Sequence, residues 1–246
     1  MHSNIHLVTE ANYETMSQKA AALFAVALRK KPQGVFGFAT GGTPVGMYEA
    51  LVRMHQDEGL DFSGITTFNL DEYYPIAPED PHSYRYFMQE NLFDHVNVNP
   101  DRVHMPSGTA KDVVKECLAY EARIEAAGGI EAQILGIGLN GHIGFNEPSE
   151  TFPARTHYVA LKEMTLQSNA RFFENPDDAP RNAITMGIRT IMLARFILLL
   201  CNGEAKAEIL RDALTGPVTP LVPASALQLH PSVTVITDKA AARLLI

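Results

Sequence analysis

Apolar runs of strand length alternate with amphipathic stretches of helix length along most of this chain, and this pattern constrains the fold most strongly. The predicted strands cover residues 34–39, 65–70, 132–137, 195–201 and 233–237. The predicted helices cover residues 20–29, 44–55, 82–93, 111–126 and 204–214. Such alternation builds crossover units between parallel strands. It predicts an α/β fold with three α/β/α layers, in which a mostly parallel, Rossmann-like open sheet carries helices on both faces.

One segment, residues 138–181, interrupts the alternation. It holds four prolines and only a short helical patch near residues 166–173. A long irregular segment in a compact domain is usually functional, as a lid is, although a surface insertion would look the same. We expect residues 1–246 to form a single domain with a lid within about 145–185.

Charge and hydrophobicity exclude several classes of protein. The chain has 20 Lys and Arg against 28 Asp and Glu, a net charge of −8. This balance argues against nucleic-acid binding but leaves anionic small molecules open. The longest apolar run, residues 196–201, is too short to span a membrane, and the N-terminus lacks the pattern of a signal peptide. We therefore expect a cytoplasmic protein without nucleic-acid or membrane partners.

The first of three unusual strand ends is the loop over residues 38–44. Gly41 and Gly42 precede Thr43, a suitable helix N-cap, and Pro44, a suitable first helical residue. Free backbone N–H groups at a helix N-terminus favour an anion such as a phosphate. A tight turn that needs glycine is the alternative.

The second strand end carries two adjacent carboxylates, Asp71 and Glu72, followed by Tyr73 and Tyr74. Aromatic walls desolvate a carboxylate and raise its basicity. That environment suits proton abstraction from a carbon beside a carbonyl or imine. Ordinary loop acidity, with Asp71 capping a turn, is the alternative.

The third strand end, residues 136–148, contains a formal G-x-G-x-x-G pattern. Gly144 and Pro148 prevent the helix that a dinucleotide site requires, so a nicotinamide or flavin site is rejected. The remaining feature is His142, with Asn140 before it and Glu147 after it. An imidazole near a carboxylate suits proton transfer at neutral pH. The pattern lacks the spacing of a metal site, and no metal is predicted.

Two cations complete a candidate anion site. Lys206 falls in the first turn of a predicted helix, an unfavourable place for a cation unless an anionic ligand is near. Arg171 lies in the irregular segment, where its guanidinium could form a forked contact with a phosphate. Surface solvation is the alternative for each residue.

Together these stretches resemble the glucosamine-6-phosphate deaminase family. The resemblance is carried, in the family's order and spacing, by residues 40–44, 67–73, 140–148, 168–173 and 227–231. The first stretch alone is weak evidence, because sugar-phosphate lactonases and pentose-phosphate isomerases share the fold. The whole set is specific and spans nearly the entire chain.

The resemblance implies conversion of glucosamine 6-phosphate and water to fructose 6-phosphate and ammonia, with no cofactor. It implies that His142 opens the sugar ring with support from Asn140 and Glu147. It implies that Asp71 moves a proton from C2 to C1 through an enolamine. The positions that match the family's phosphate-binding residues are Gly41, Gly42, Thr43, Arg171 and Lys206.

Two departures from the family pattern carry expectations. Asn140 stands where some members have Asp, so Glu147 must supply more of the electrostatic support for His142. Hexameric members that N-acetylglucosamine 6-phosphate activates carry basic residues after the Pro148 region and a longer C-terminal tail, whereas this chain has Glu150, His157 and Val159 there and stops at Ile246. We therefore expect a monomer and not an allosteric hexamer.

Two alternative functions stay open on sequence grounds. One is a 6-phosphogluconolactonase-like enzyme or another sugar-phosphate isomerase on the same fold. The other is a sugar-phosphate sensor without catalysis, which would leave Asp71, His142 and Glu147 without a purpose.

Overall fold

A seven-stranded parallel sheet forms the centre of the fold. The computed structural model describes residues 4–170, 173, 175 and 179–245. In spatial order the strands are β1 (Ile5–Glu10), β10 (Val233–Asp238), β9 (Phe196–Cys201), β6 (Ala132–Gly136), β2 (Val35–Phe38), β3 (Thr66–Asn69) and β5 (Val103–His104). Every pairing in this sheet is parallel. The central strands are buried on both faces, which explains their nearly continuous apolar sequences.

Helices cover both faces of this sheet. The helices of the described residues are α1 (Tyr13–Lys30), α2 (Val45–Glu58), α3 (Tyr84–Asn91), α4 (Val113–Ala126), α5 (Glu163–Ala170), α6 (Ile188–Met192), α7 (Ala207–Thr215) and α8 (Lys239–Ala242). Phe24 of α1 packs edge-on against Phe36, whereas Tyr120 of α4 packs against Phe68. Phe68 pairs with Gly37, and side chains alternate along a strand, so Phe36 and Phe68 lie on opposite faces. The predicted α/β/α fold class is confirmed.

A second, antiparallel sheet was not predicted. It consists of β4 (Asp71–Tyr74), β8 (Asn182–Thr185) and β7 (His157–Ala160), in that order. The segment 138–181 is therefore more regular than its prolines suggest, since it contains β7 and α5 and leads into β8. Strands of four residues, half-buried as β7 is, are too short to show a period. This sheet fixes the backbone of Asp71, which pairs with Thr185.

The buried face of α4 differs from the stripe that the sequence pattern favours. Val114 and Leu118 lie at helical spacing, yet they are 65% and 58% exposed. Cys117, Tyr120 and Ile124 form the buried stripe instead. Both stripes have helical spacing, so periodicity alone cannot decide between them. No helix in the described part of the chain is long and apolar enough to cross a membrane.

Candidate active site

A cavity of about 900 Å³ opens where β2, β3, β6 and β9 end. The carboxyl ends of parallel strands are the usual ligand site in an open α/β sheet. Residues far apart in the sequence meet here, as the strand-end loops predicted. The predicted site residues that line the cavity are Gly41, Gly42, Thr43, Asp71, Asn140, His142 and Lys206.

The Asp71 carboxylate is buried and faces the cavity. The residue is 5% exposed and, among the described residues, no group donates a hydrogen bond to its carboxylate. Burial raises the pKa of Asp71 well above its usual range, and the charge of Glu72 raises it further. Such a carboxylate is a stronger base than one in water.

Glu72, the next residue, has the opposite environment. Its carboxylate accepts backbone hydrogen bonds from Tyr73, Tyr84 and Arg85 at 2.8–2.9 Å. Burial raises its pKa to about 7, although these three hydrogen bonds oppose the shift. Because strand side chains alternate, one carboxylate of the pair faces the cavity while the other anchors β4 to the start of α3. Glu72 is therefore structural, and Asp71 is the carboxylate available for chemistry.

Aromatic rings wall the cavity beside Asp71. The ring centroids of Tyr73 and Tyr84 are 4.7 Å apart, and Tyr84 stacks on Phe145 at 5.8 Å. Phe173 contacts Tyr73 edge-on at 6.2 Å. These rings exclude water from one side of the carboxylate. Of these four rings, only Tyr73 belongs to the run of aromatic residues after Glu72.

The loop that presents His142 depends on a glycine that permits close contact. A Cβ atom added to Gly138 would lie 2.2 Å from Cε1 of His142, so only glycine lets the imidazole pack against the backbone there. The Gly138 N–H donates to the His142 carbonyl at 2.9 Å, and the Asn140 side chain accepts from the His142 N–H at 3.2 Å. The ring is thereby held at the cavity wall.

Asn140, His142 and Glu147 form one cluster. The Asn140 amide donates to Oε2 of Glu147 at 2.7 Å, and Nδ1 of His142 lies 3.7 Å from the same oxygen. Burial raises the pKa of Glu147, but the adjacent His142, Thr165 and Asn140 side chains outweigh burial and leave this pKa below its usual value. An ionised carboxylate therefore lies beside the His142 imidazole.

The glycine loop after β2 bounds another part of the cavity. Gly41 has φ +95°, a conformation that favours glycine, and the Gly42 carbonyl accepts from the Tyr13 hydroxyl at 3.1 Å. The prediction that Thr43 caps the helix is wrong. The helix begins at Val45, Pro44 occupies the cap position, and the Thr43 hydroxyl instead donates to Oδ1 of Asn202 at 2.8 Å.

Lys206 reaches the cavity from the loop after β9. It ends a 3₁₀ turn over Glu204–Lys206, one residue before α7, so its predicted place inside the first helical turn shifts to the cap position. Its Nζ donates to the Ile137 carbonyl at 2.6 Å. Arg171, the other predicted cation, lies outside the described residues.

Asn202 and Thr165 are polar residues of the cavity wall that the sequence patterns did not indicate. Asn202 directly follows β9, so the strand-end rule that found Asp71 would also have found it. Thr165 lies on α5, and no pattern in its neighbourhood marks it. Among the described residues, no cluster of three His, Cys, Asp or Glu side chains is arranged to hold a metal ion.

Comparisons with known proteins identify the family. The family described as glucosamine-6-phosphate isomerases/6-phosphogluconolactonase matches residues 9–236. The glucosamine-6-phosphate deaminase of Halothermothrix orenii is 54% identical, and that of Alkaliphilus metalliredigens is 52% identical. Each alignment covers 98% of this chain and 100% of the relative.

Solved structures separate relatives from mere fold neighbours. A monomeric glucosamine-6-phosphate deaminase superposes with a TM-score of 0.95 at 47% identity, over 97% of this chain and 99% of that one. The 6-phosphogluconolactonase of Thermotoga maritima gives 0.74 at 21% identity, over 96% and 99% of the two chains, which is a likeness of fold alone. The family match and the high identities over almost the whole length show that the chain belongs to the glucosamine-6-phosphate deaminase family.

Proposed function

We propose that this chain converts glucosamine 6-phosphate and water to fructose 6-phosphate and ammonia. The observation that carries the proposal is the buried Asp71 carboxylate, which accepts no hydrogen bond from the described residues and shares one cavity with the His142 imidazole. The amino sugar needs a proton transfer at its ring oxygen and another between two carbons. An imidazole and a desolvated carboxylate supply these two functions.

The phosphate binds to the loop at Gly41, Gly42 and Thr43 and to Lys206. Backbone N–H groups at the start of α2 and the Lys206 ammonium supply positive charge there. Arg171 adds a further contact if it acts as the matching family position does. Since the phosphate is remote from the reacting carbons, its binding energy serves to position them.

His142 opens the pyranose ring by moving a proton at the ring oxygen. Glu147 supports this step because its carboxylate stabilises the protonated imidazole, while Asn140 holds Glu147 by the 2.7 Å hydrogen bond. The amide of Asn140 orients the cluster without adding charge. The charge that faces His142 in this cluster therefore comes from Glu147.

Asp71 acts on the open-chain form. It takes the proton from C2 to give an enolamine and returns it at C1, which moves the double bond to the C2–nitrogen position. Water then adds at C2 and ammonia leaves, which yields fructose 6-phosphate. Because the C2 proton is weakly acidic, the base must be close, correctly oriented and shielded from water, as Asp71 is.

Product analysis distinguishes this function from the alternatives. Purified protein is incubated with glucosamine 6-phosphate, and ammonia and fructose 6-phosphate are measured, which we expect to appear in equal amounts. Hydrolysis of 6-phosphogluconolactone without ammonia would favour a lactonase. Binding of the amino sugar without turnover would favour a sensor.

Replacing Lys206 by Ala tests the phosphate site. We expect KM for glucosamine 6-phosphate to rise by about 10- to 100-fold with a smaller change in kcat, because a charged hydrogen bond to the phosphate is lost. Lys30→Ala, at an exposed position at the end of α1, is the matched control. Unchanged KM and kcat in Lys206→Ala would remove Lys206 from the site.

We propose that residues 1–246 form a single domain with a lid within about 145–185. We also propose that the enzyme is monomeric and non-allosteric. Acidic Glu150 and apolar Val159 offer no positive charge for a phosphate activator at the positions that are basic in hexameric members. We expect sedimentation at the mass of one chain, 27.0 kDa, with or without N-acetylglucosamine 6-phosphate. A hexamer, or activation by that ligand, would contradict this part of the proposal.

A further inference from the structure

Thr165 is a buried polar residue of the cavity wall to which the proposed mechanism assigns no task. It is the third residue of α5 and is 3% exposed. Its hydroxyl oxygen is fully buried and forms no hydrogen bond with any described residue. An unpaired buried hydroxyl is costly, so its retention calls for an explanation.

The two oxygens of the Glu147 carboxylate, which lies next to Thr165, accept hydrogen bonds of different length. Oε2 accepts a short hydrogen bond from Asn140, whereas Oε1 receives a long one, at 3.4 Å, from the Lys162 backbone N–H. Lys162 directly precedes α5, so the carboxylate lies at the first turn of the helix that carries Thr165. The Thr165 side chain is also close enough to lower the pKa of Glu147.

A second unpaired polar atom lies against the same carboxylate. Nδ1 of His142 is buried, forms no hydrogen bond with any described residue and is 3.7 Å from Oε2 of Glu147. Two unpaired groups therefore flank one acceptor, with His142 at one oxygen and Thr165 beside the carboxylate. A small adjustment of Glu147 toward both groups would satisfy all three at once.

We propose that the Thr165 hydroxyl donates a hydrogen bond to Oε1 of Glu147 during the reaction, which makes Thr165 a positioning residue for the Glu147–His142 pair. This inference rests on the proposed deaminase function. The bond holds the carboxylate so that Oε2 faces Nδ1 of His142 while the ring oxygen of the sugar is protonated. Helix α5 thereby contributes to catalysis without contacting the reacting atoms.

Two substitutions test the role of the hydroxyl. Thr165→Val replaces the hydroxyl with a methyl group, whereas Thr165→Ser keeps the hydroxyl and loses the methyl. We expect Thr165→Val to lower kcat for ammonia release about tenfold with KM changed less than twofold. Thr165→Ser should keep kcat within about twofold of the wild-type value. Binding of glucitol 6-phosphate, an acyclic ligand that needs no ring opening, should be equal in all three proteins.

Equal losses of kcat in Thr165→Val and Thr165→Ser would overturn the proposal, since the hydroxyl would then not be the cause. A Thr165→Val variant with raised KM and normal kcat would also overturn it, because the hydroxyl would then bind the substrate directly. Thermal unfolding of both variants accompanies the kinetics, and the Ser variant keeps the comparison valid if the Val variant is unstable. Absence of ammonia release by the wild-type protein would instead refute the deaminase function itself.

Discussion

Replacement of Asp71 by Asn is expected to lower kcat for ammonia release by about 10³-fold, because a positioned general base contributes about 10²- to 10⁴-fold. The amide keeps the size and shape of the carboxylate but cannot take the C2 proton. KM should change little, since the phosphate site is untouched. Asp94→Asn, at an exposed position of the 3₁₀ turn over Phe93–His95, is the matched control and should keep full activity.

The same variant should be more stable than the wild-type protein at alkaline pH. Folding raises the pKa of Asp71, so the folded state favours the protonated acid. The stability that this contributes is present below the ordinary pKa of about 4 and is lost as the pH rises through the folded-state pKa. Asn resembles the protonated acid at every pH. Thermal unfolding should therefore give equal Tm values near pH 4 and a higher Tm for Asp71→Asn at pH 8.

Activity near the wild-type level in Asp71→Asn would contradict the assignment of the base. A large loss of activity with a lower Tm at pH 8 would also count against it, because the carboxylate would then be a structural group. Loss of activity together with a gain in stability is expected of a catalytic carboxylate whose burial destabilises the fold. It is not expected of a carboxylate such as Glu72, which anchors the structure.

His142→Gln carries the second large effect. We expect kcat to fall by about 10²- to 10³-fold, since glutamine cannot exchange a proton with the ring oxygen near neutral pH. Binding of glucitol 6-phosphate should be kept, because this ligand needs no ring opening. Kinetics and calorimetric titration of the same protein provide both values.

His95→Gln, at an exposed position away from the cavity, is the control for this substitution and should behave as the wild-type protein does. A His142→Gln protein that binds glucitol 6-phosphate weakly and unfolds at a clearly lower temperature would show that His142 is structural. The imidazole packs closely against the backbone at Gly138, so its replacement can also destabilise the loop, and the unfolding measurement tests this alternative.

The sequence was sufficient for the fold class because the central strands are buried on both faces. β9 is apolar along its whole length, and β10 is buried along its whole length although three of its six residues are polar. β1 lies at the edge of the sheet and is half-exposed, so its polar residues conceal the strand pattern. β4 and β7 are short and belong to a second sheet that only tertiary contacts define.

The candidate site was predictable where side chains follow strand ends. Asp71 and His142 share that position, and the topology alone brings them to one edge of the sheet. The difference between Asp71 and Glu72 was not predictable in physical terms, because it depends on three N–H groups, two of which belong to α3. Thr165 could not be found either, since its neighbour Glu147 is distant in sequence and the two residues come together only after α5 packs. The roles of these residues stay predictions.

The most direct test of the proposed site is a crystal structure of the Asp71→Asn protein with bound glucosamine 6-phosphate. We expect the phosphate at the Gly41–Thr43 loop and Lys206, C2 within contact distance of the side chain at position 71, and the ring oxygen near His142. A sugar bound in the opposite direction, or one that reaches position 71 but not His142, would contradict it.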